Sequence, residues 1–370
     1  MIFENENIDI LEEVINTYDP EVMERLLWDH SRPTDESLKN NLNVDGHHHI
    51  YWATDMYAEN GFDFMDEILV SSITGENSRL VRPRAAKSRE EQELRTREKA
   101  EVFTPSWVCN TQNNLVDDAW FGQKGVFNME FMLDTGRHSW ATTTAKIPFP
   151  TPDGKTWQDY IWDKRLEITC GEAPYLVSRY DTTTGQFIAL HDRIGLFDRK
   201  MRVIRENTTT LEEWWLATER ALKSIYGYEW QGDNLLLARE AMLMSVRDYY
   251  VDFCELHDLD ASLDNDVVHK KARYAAYLIS WNIFQMDGLK MVLPMTCHEE
   301  EEQSNDMMQS LFGEDNLTPK KMKPCPGCAT KNIHKHNGIP VIIVDWSKEP
   351  GATKKERIEF RSMLPKSSKK

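Results

Sequence analysis

Soft metal ligands cluster in this chain at Cys325-Pro-Gly-Cys328, followed closely by His334-Lys-His336. Two thiolates with two residues between them, Pro and Gly turning the chain, can face one tetrahedral zinc ion, and a nearby imidazole can complete the set. Cys325, Cys328, His334 and His336 are the expected ligands. The two His are closer together than in the usual finger spacing, and Cys297 and His298 are alternative donors. No thioredoxin-like surroundings favour a redox role for the pair. The run His47-His48-His49 is different: three adjacent side chains on a regular element cannot converge on one ion, so surface or packing roles are expected.

A second constellation is built from strand ends. The segment Arg165-Leu-Glu-Ile-Thr-Cys-Gly-Glu-Ala-Pro-Tyr-Leu176 reads as a strand running into a tight turn and then a helix. In open α/β sheets such a turn, at the carboxyl end of a strand, is where nucleotide-like ligands bind. Gly171 would let the backbone approach such a ligand closely. Glu101-Val-Phe-Thr-Pro105 lies upstream. Ile225-Tyr-Gly-Tyr-Glu229 and Trp281-Asn-Ile-Phe-Gln-Met-Asp-Gly-Leu289 lie downstream, each delivering an acid after a strand-like run. A carboxylate there can accept from two converging donors.

In this order, the segments resemble the adenine-N6 DNA methyltransferases that serve as modification subunits of restriction systems, over residues 96–345. The resemblance implies an S-adenosylmethionine cofactor. Phe103, Thr104 and Pro105 match the segment closing over its methionine end. Thr169, Cys170, Gly171 and Ala173 match the family's Pro-Cys-Gly-x-Gly turn, with Ala173 where a Gly is usual; its methyl group is expected to narrow the space for the cofactor's amino-acid moiety. Glu229 matches the acid that accepts from both ribose hydroxyls. Asp287 matches the acid that accepts from the adenine amine, with Phe284 or Met286 flanking that ring.

The family's catalytic tetrapeptide, Asn or Asp followed by Pro, Pro and an aromatic, is missing. Its chemistry is to accept from the amine of a flipped base and to stack that base. Asp345 and Trp346, at the end of the apolar run Val341-Ile-Ile-Val344, are the nearest substitutes. The expected function is therefore S-adenosylmethionine-dependent methylation of adenine in DNA, in a restriction-modification or phage-related setting. The alternatives are a non-catalytic cofactor-binding or DNA-recognition subunit and a restriction or defence nuclease component. Expected partners are DNA and a restriction or specificity subunit.

These residues need an α/β framework to position them. Helical spacing is expected at Ser106–Phe121, Leu211–Tyr226, Asn234–Leu256 and Asp266–Trp281. Strands are expected at Phe127–Leu133, Thr142–Ile147, Arg165–Thr169, Arg202–Ile204, Ile283–Met286 and Val341–Val344. Strands alternating with helices imply an α/β sheet with crossover helices. The resemblance makes that sheet a Rossmann-like, S-adenosylmethionine-dependent methyltransferase core over residues 96–370, interrupted by a zinc-knuckle insert at 296–338. Residues 1–95 are expected to form a helical N-terminal region, with Asp19 capping a helix that starts at Pro20, and a basic polar linker over 71–96.

At 370 residues and 40% hydrophobic, the chain can bury a substantial core. No run approaches a membrane span, and the acidic start is unlike a signal peptide. Six scattered Cys fit a reducing compartment, and a cytoplasmic location is expected. A net charge of −17 gives no non-specific attraction to DNA. Nucleic-acid contact would need a local basic patch, and the stretch from Arg79 to Lys99, carrying Arg82, Arg84, Lys87, Arg89, Arg95 and Arg97, is the candidate.

Overall fold

The computed structural model describes residues 12–32, 48–301, 322–346 and 356–365. The start of the first expected helix (Ile8 and Leu11) and His47 lie outside them. The chain is mixed helix and sheet, with several small sheets rather than one large one. Two helices open the described part, α1 (Glu12–Tyr18) and α2 (Pro20–Leu27). Asp19 accepts from the Glu21 amide at 3.1 Å, and Pro20 takes the first helical position, where no N–H is needed. Then come α3 (Arg89–Lys99), α4 (Ser106–Phe121) and the exposed antiparallel pair β1 (Asn128–Met132) and β2 (His138–Thr142). Helix α5 (Trp157–Trp162) leads into the central unit.

That unit is β3 (Arg165–Glu167), α6 (Leu196–Asn207), α7 (Leu211–Lys223), β4 (Ile225–Glu229), α8 (Gly232–Leu256), α9 (Asp266–Asn282) and β5 (Ile283–Gln285). The three strands form a parallel sheet in the order β3-β4-β5, Leu166 opposite Tyr226 and Tyr228 opposite Phe284. Each strand-to-strand connection carries a helix pair, as parallel pairing requires a crossover. The antiparallel pair β6 (Ile342–Asp345) and β7 (Glu356–Glu359) completes the described strands of more than two residues.

Helix α8 is buried almost all round, with Asp233, Asn234, Arg239 and Glu240 buried among its apolar residues, and lies at the centre of the core. Buried Arg239 on α8 ties its surroundings together. Its guanidinium donates to the carbonyls of Leu26, Trp28, Ile283 and Ser280, at 2.5 to 3.1 Å. The N-terminal helices are thus bolted to the strand β5 and to α9. Asp19 also receives His269 and Arg273 of α9, each at 2.8 Å.

Several expectations change. The four helices lie where the periodicity put them, although α7 stops at Lys223 and leaves Ile225 and Tyr226 to β4. Arg202–Ile204 is not a strand: it belongs to α6, where Val203 and Ile204 are buried at helical spacing. Two β-branched residues, Val203 and Ile204, are too short a run to outweigh the amphipathic helix around them. Of Thr142–Ile147 only Thr142 is in a strand, because β2 pairs earlier, over His138–Thr142.

The basic linker is folded. Ser88 and Glu91 form a capping box at the start of α3, and Arg95 is buried against Asp233 at 2.7 Å and Glu101 at 3.2 Å. Lys87 is buried too, and Arg82 pairs with Glu91. Much of that charge is spent on internal acids, so the stretch is no free cationic patch. His48 and His49 bind Glu67 and Glu24, a packing role. No described helix is long and apolar enough to cross a membrane.

Candidate ligand cleft and metal centre

The turn after β3 is not followed by the expected helix, since the next α-helix is α6 from Leu196, and it is shaped by backbone conformation. Thr169, Gly171 and Ala173 alternate through the left-handed region, with φ of 46°, 53° and 60°. Gly adopts it freely, but for β-branched Thr169 it is a true outlier, of the kind found at binding sites. The Cys170 amide donates to Tyr228 O at 2.8 Å and the Gly171 amide to Glu229 Oε2 at 2.9 Å, so the turn is stitched to the end of β4. Glu229 Oε1 accepts from the Gln231 amide at 3.2 Å. The Phe103 ring lies 3.5 Å from where a Cβ on Gly171 would sit. Two contacts anchor the Phe103-Thr104 segment. Pro105 leads into α4, whose Ser106 amide is capped by Asp181 at 2.7 Å, and the Thr182 hydroxyl donates to Thr104 O at 3.2 Å.

These pieces surround one cavity of about 920 Å³ at the carboxyl ends of β3 and β4. Phe103, Thr104, Thr169, Cys170, Gly171 and Glu229 all line it. Its wall also holds Glu167, Trp230, Gln231 and Asn234. Glu167 was not among the residues singled out from the sequence. It is buried beside the Tyr175 and Leu176 amides, at 3.4 and 3.2 Å, and its place at the end of the strand Arg165–Glu167, just before the turn, is the signal that could have found it. Burial pushes the carboxyls of both Glu167 and Glu229 above the usual range, and the nearby Glu229 charge adds to the rise at Glu167. The side-chain oxygens of Gln231 and Asn234 are buried without a partner among the described residues, two acceptors facing no donor.

The remaining expected ligand residues are elsewhere. Ala173 is fully buried and absent from the cavity wall, so its methyl group does not narrow the cleft. Phe284 packs in the core, its ring 5.6 Å from Phe360 and 6.2 Å from Tyr228. Asp287 closes a turn, accepting from the Leu289 and Lys290 amides at 3.0 and 3.2 Å. Neither lines the cavity. The run before them is short, and β5 carries it past the pocket into the turn.

Asp345 is not at the pocket end of the sheet. Strand β6 starts near the carboxyl ends of the parallel strands, where Val341 N meets Met291 O and Phe360 meets Phe284. It finishes near their amino ends, with Val344 O by the Tyr226 hydroxyl and Asp345 3.3 Å from Lys164. The strand expected beside the one that ends at Asp287 instead pairs with β7 and is not part of the parallel sheet. Trp346 is buried and donates to Asn282 Oδ1 at 2.8 Å, so its ring is a core element and no open platform. The outer edge of β3 has no partner strand among the described residues.

A candidate metal site lies apart from the cleft. Cys297, Cys325, Cys328 and His336 bring their ligand atoms within 4.8 Å of one another and could hold a metal ion. His336 Nδ1 is 3.4, 3.6 and 3.7 Å from the three sulfurs. A zinc ion with Zn–S of about 2.3 Å and Zn–N of about 2.0 Å at tetrahedral angles would separate S from N by about 3.5 Å. His334 is outside the set, its Nε2 3.3 Å from Pro365 O, and Cys297 takes its place. Burial and the neighbouring thiols push Cys297 up to about 12, whereas amide donors outweigh burial at Cys325 and bring it to about 6. Three thiolates this close would repel each other, and a bound dication would remove the conflict.

Comparison with protein-family models, with curated proteins and with solved structures finds no match to this chain.

Proposed function

We propose that the cleft binds S-adenosylmethionine and that the chain is a DNA adenine-N6 methyltransferase of the modification-subunit kind. The observation that carries this reading is the convergence of Phe103-Thr104, the Gly171 turn and Glu229 on one cavity at the ends of parallel strands. The three-stranded parallel sheet with paired crossover helices supports a Rossmann-like core around it.

The residues on the cavity wall suit the methionine and ribose ends of such a cofactor, while Asp287 and Phe284, matched to its adenine end, stand outside the wall. The volume suits a nucleoside-sized ligand. Glu229 keeps lone pairs for a pair of hydroxyls after accepting two amides, and Gln231 and Asn234 offer buried acceptors. Phe103 would cover the ligand and exclude water. The cofactor supplies an electrophilic methyl group; the chain's part is to hold it. We further propose zinc as the metal of the Cys297–Cys325–Cys328–His336 centre, and DNA and a restriction or specificity subunit as partners.

A second reading is a non-catalytic cofactor-binding or DNA-recognition subunit. The position of Asp345, away from the cleft, favours it, because no expected amine acceptor then stands beside the methyl donor. Transfer of labelled methyl groups to DNA, with the chain alone and with a partner subunit added, separates the two.

The cofactor test is thermal shift with S-adenosylhomocysteine. At a hundredfold excess over the dissociation constant the ligand should add about 2.7 kcal/mol to stability, and Glu229→Ala should remove the shift. Hydroxyl donors favour the ionised carboxyl, and burial holds Glu229 above the usual glutamate range. Binding should therefore weaken as pH falls, and do so at a higher pH than an exposed glutamate would impose. An unshifted wild type at millimolar ligand overturns the assignment.

A further inference from the structure

The zinc ligands come from two stretches of chain that meet at a neck. Cys297 lies just beyond Val292, which bridges to Pro340, and Leu293 donates to Ile339 O at 2.9 Å. Ile339 donates in turn to Thr296 Oγ1 at 3.0 Å. The chain leaves the neck at His298 and is back at Pro324, with Glu300–Glu301 paired to Met322–Lys323 just outside it. Asn337 spans the two sides. Its amide donates to Cys325 Sγ at 3.3 Å, and its side chain reaches His298 O at 2.8 Å and Glu300 at 2.9 Å. Close approach is built in: a Cβ on Gly327 would lie 2.5 Å from His336 Cγ, and one on Gly338 would lie 2.7 Å from Thr296 Oγ1.

The same neck holds the end of the β6–β7 pair. Arg361 donates to His336 O at 3.0 Å, and Phe360 donates to Val341 O at 2.9 Å. The Phe360 ring then rests on Phe284 and Tyr228, which belong to β5 and β4. A two-stranded pair is marginal in water by itself. At its far end Trp346 is fastened to Asn282.

We propose that Cys297, Cys325, Cys328 and His336 form a closed, structural zinc site that clamps this neck and thereby holds the β6–β7 pair against the parallel sheet. The clamp depends on zinc being the metal of this centre and is independent of the cofactor in the cleft. Four protein ligands fill a tetrahedral ion and leave no position for water, the pattern of structural rather than catalytic zinc. Metal affinity at such a site is local folding free energy.

The test uses the full chain, purified without added zinc. Metal analysis should find about one equivalent of zinc, and Cys325→Ser with Cys328→Ser should lose it. Hydrogen exchange is then followed in the wild type as a chelator removes zinc and as zinc is restored. Amides in 292–301, 322–346 and 356–365 should exchange at least about tenfold faster without metal and recover with it, while those in α8 should not change. Using the wild type avoids dependence on a variant that fails to fold. A metal-free wild type that does not take up zinc overturns the metal reading and the clamp with it. Zinc that comes and goes without altering exchange in β6 and β7 overturns the clamp alone. Loss of protection throughout the chain, α8 included, also overturns it, since the effect would not be local.

Discussion

Asp233→Asn is expected to lower the free energy of unfolding by about 3–5 kcal/mol, the range for breaking a buried ion pair from one side. Asp233 is fully buried at the start of α8. Its Oδ2 accepts from Arg95 and from the Tyr57 hydroxyl, both at 2.7 Å. Arg95 is bound in turn to Glu101, which also receives the Asn234 amide group. Buried Lys87 stands near the same acids. Removing the carboxylate leaves Arg95 and Lys87 with one counter-charge fewer and no water to replace it. Burial alone would raise the Asp233 pKa, but Arg95, Lys87 and the Tyr57 hydrogen bond outweigh it and hold it at about 2. The folded value lies below the unfolded value of about 4, so the unfolded state binds the proton more tightly. The contribution is complete above about pH 4 and is lost as pH falls from there towards 2. Burial raises the folded values of Glu167, Glu172 and Glu229, so their effect has the opposite sign. The difference between wild type and variant isolates Asp233. Urea unfolding at neutral pH and through the acid range measures it. A loss under about 1 kcal/mol at neutral pH would reject the network as a stabilising element, that being the worth of an ordinary exposed pair.

Arg239→Met should cost a comparable amount, about 3–5 kcal/mol, since each buried acceptor left without its donor costs roughly 1–3 kcal/mol. The guanidinium serves four carbonyls on α2, the residue after it, α9 and β5. Burial presses its pKa down to about 9, which still leaves it charged at neutral pH. Met keeps much of the volume, so the loss reports the hydrogen bonds rather than a cavity. Arg239→Lys keeps the charge but cannot reach all four acceptors with one nitrogen, and should fall between Met and wild type. The check is the urea midpoint at unchanged slope, since a changed slope would mean an altered denatured state. Equal stability of Met and wild type would mean that the Arg239 hydrogen bonds are not what fastens α2 to α9 and β5.

Much of this molecule was legible in its residues because the signals are local. Periodicity placed α4, α7, α8 and α9, and the Asp19-Pro20 pair marked the start of α2, since helices and caps are satisfied within a few residues of chain. The Gly171 turn and Glu229 were legible for the same reason: a strand end and a turn are short motifs. Whether several motifs share one cavity was not, yet Phe103, Gly171 and Glu229 do.

What the sequence by itself determined is therefore the identity of the helices, the strand-turn character of β3 and β4, and the sulfur pair at Cys325 and Cys328. Tertiary structure alone decided which residues meet. It brought Cys297 to the knuckle in place of His334, because a ligand set depends on where separate stretches pack and not on their spacing. It turned β6 to pair with β7, and so carried Asp345 to the wrong end for the cleft and Trp346 into the core. It buried Arg95 and Lys87 of an outwardly basic stretch, because Asp233, more than a hundred residues away in the chain, lies in the core beside them. A side chain's charge or apolarity is written in the sequence, but its partner across the fold is not, and at each of these positions the partner set the role.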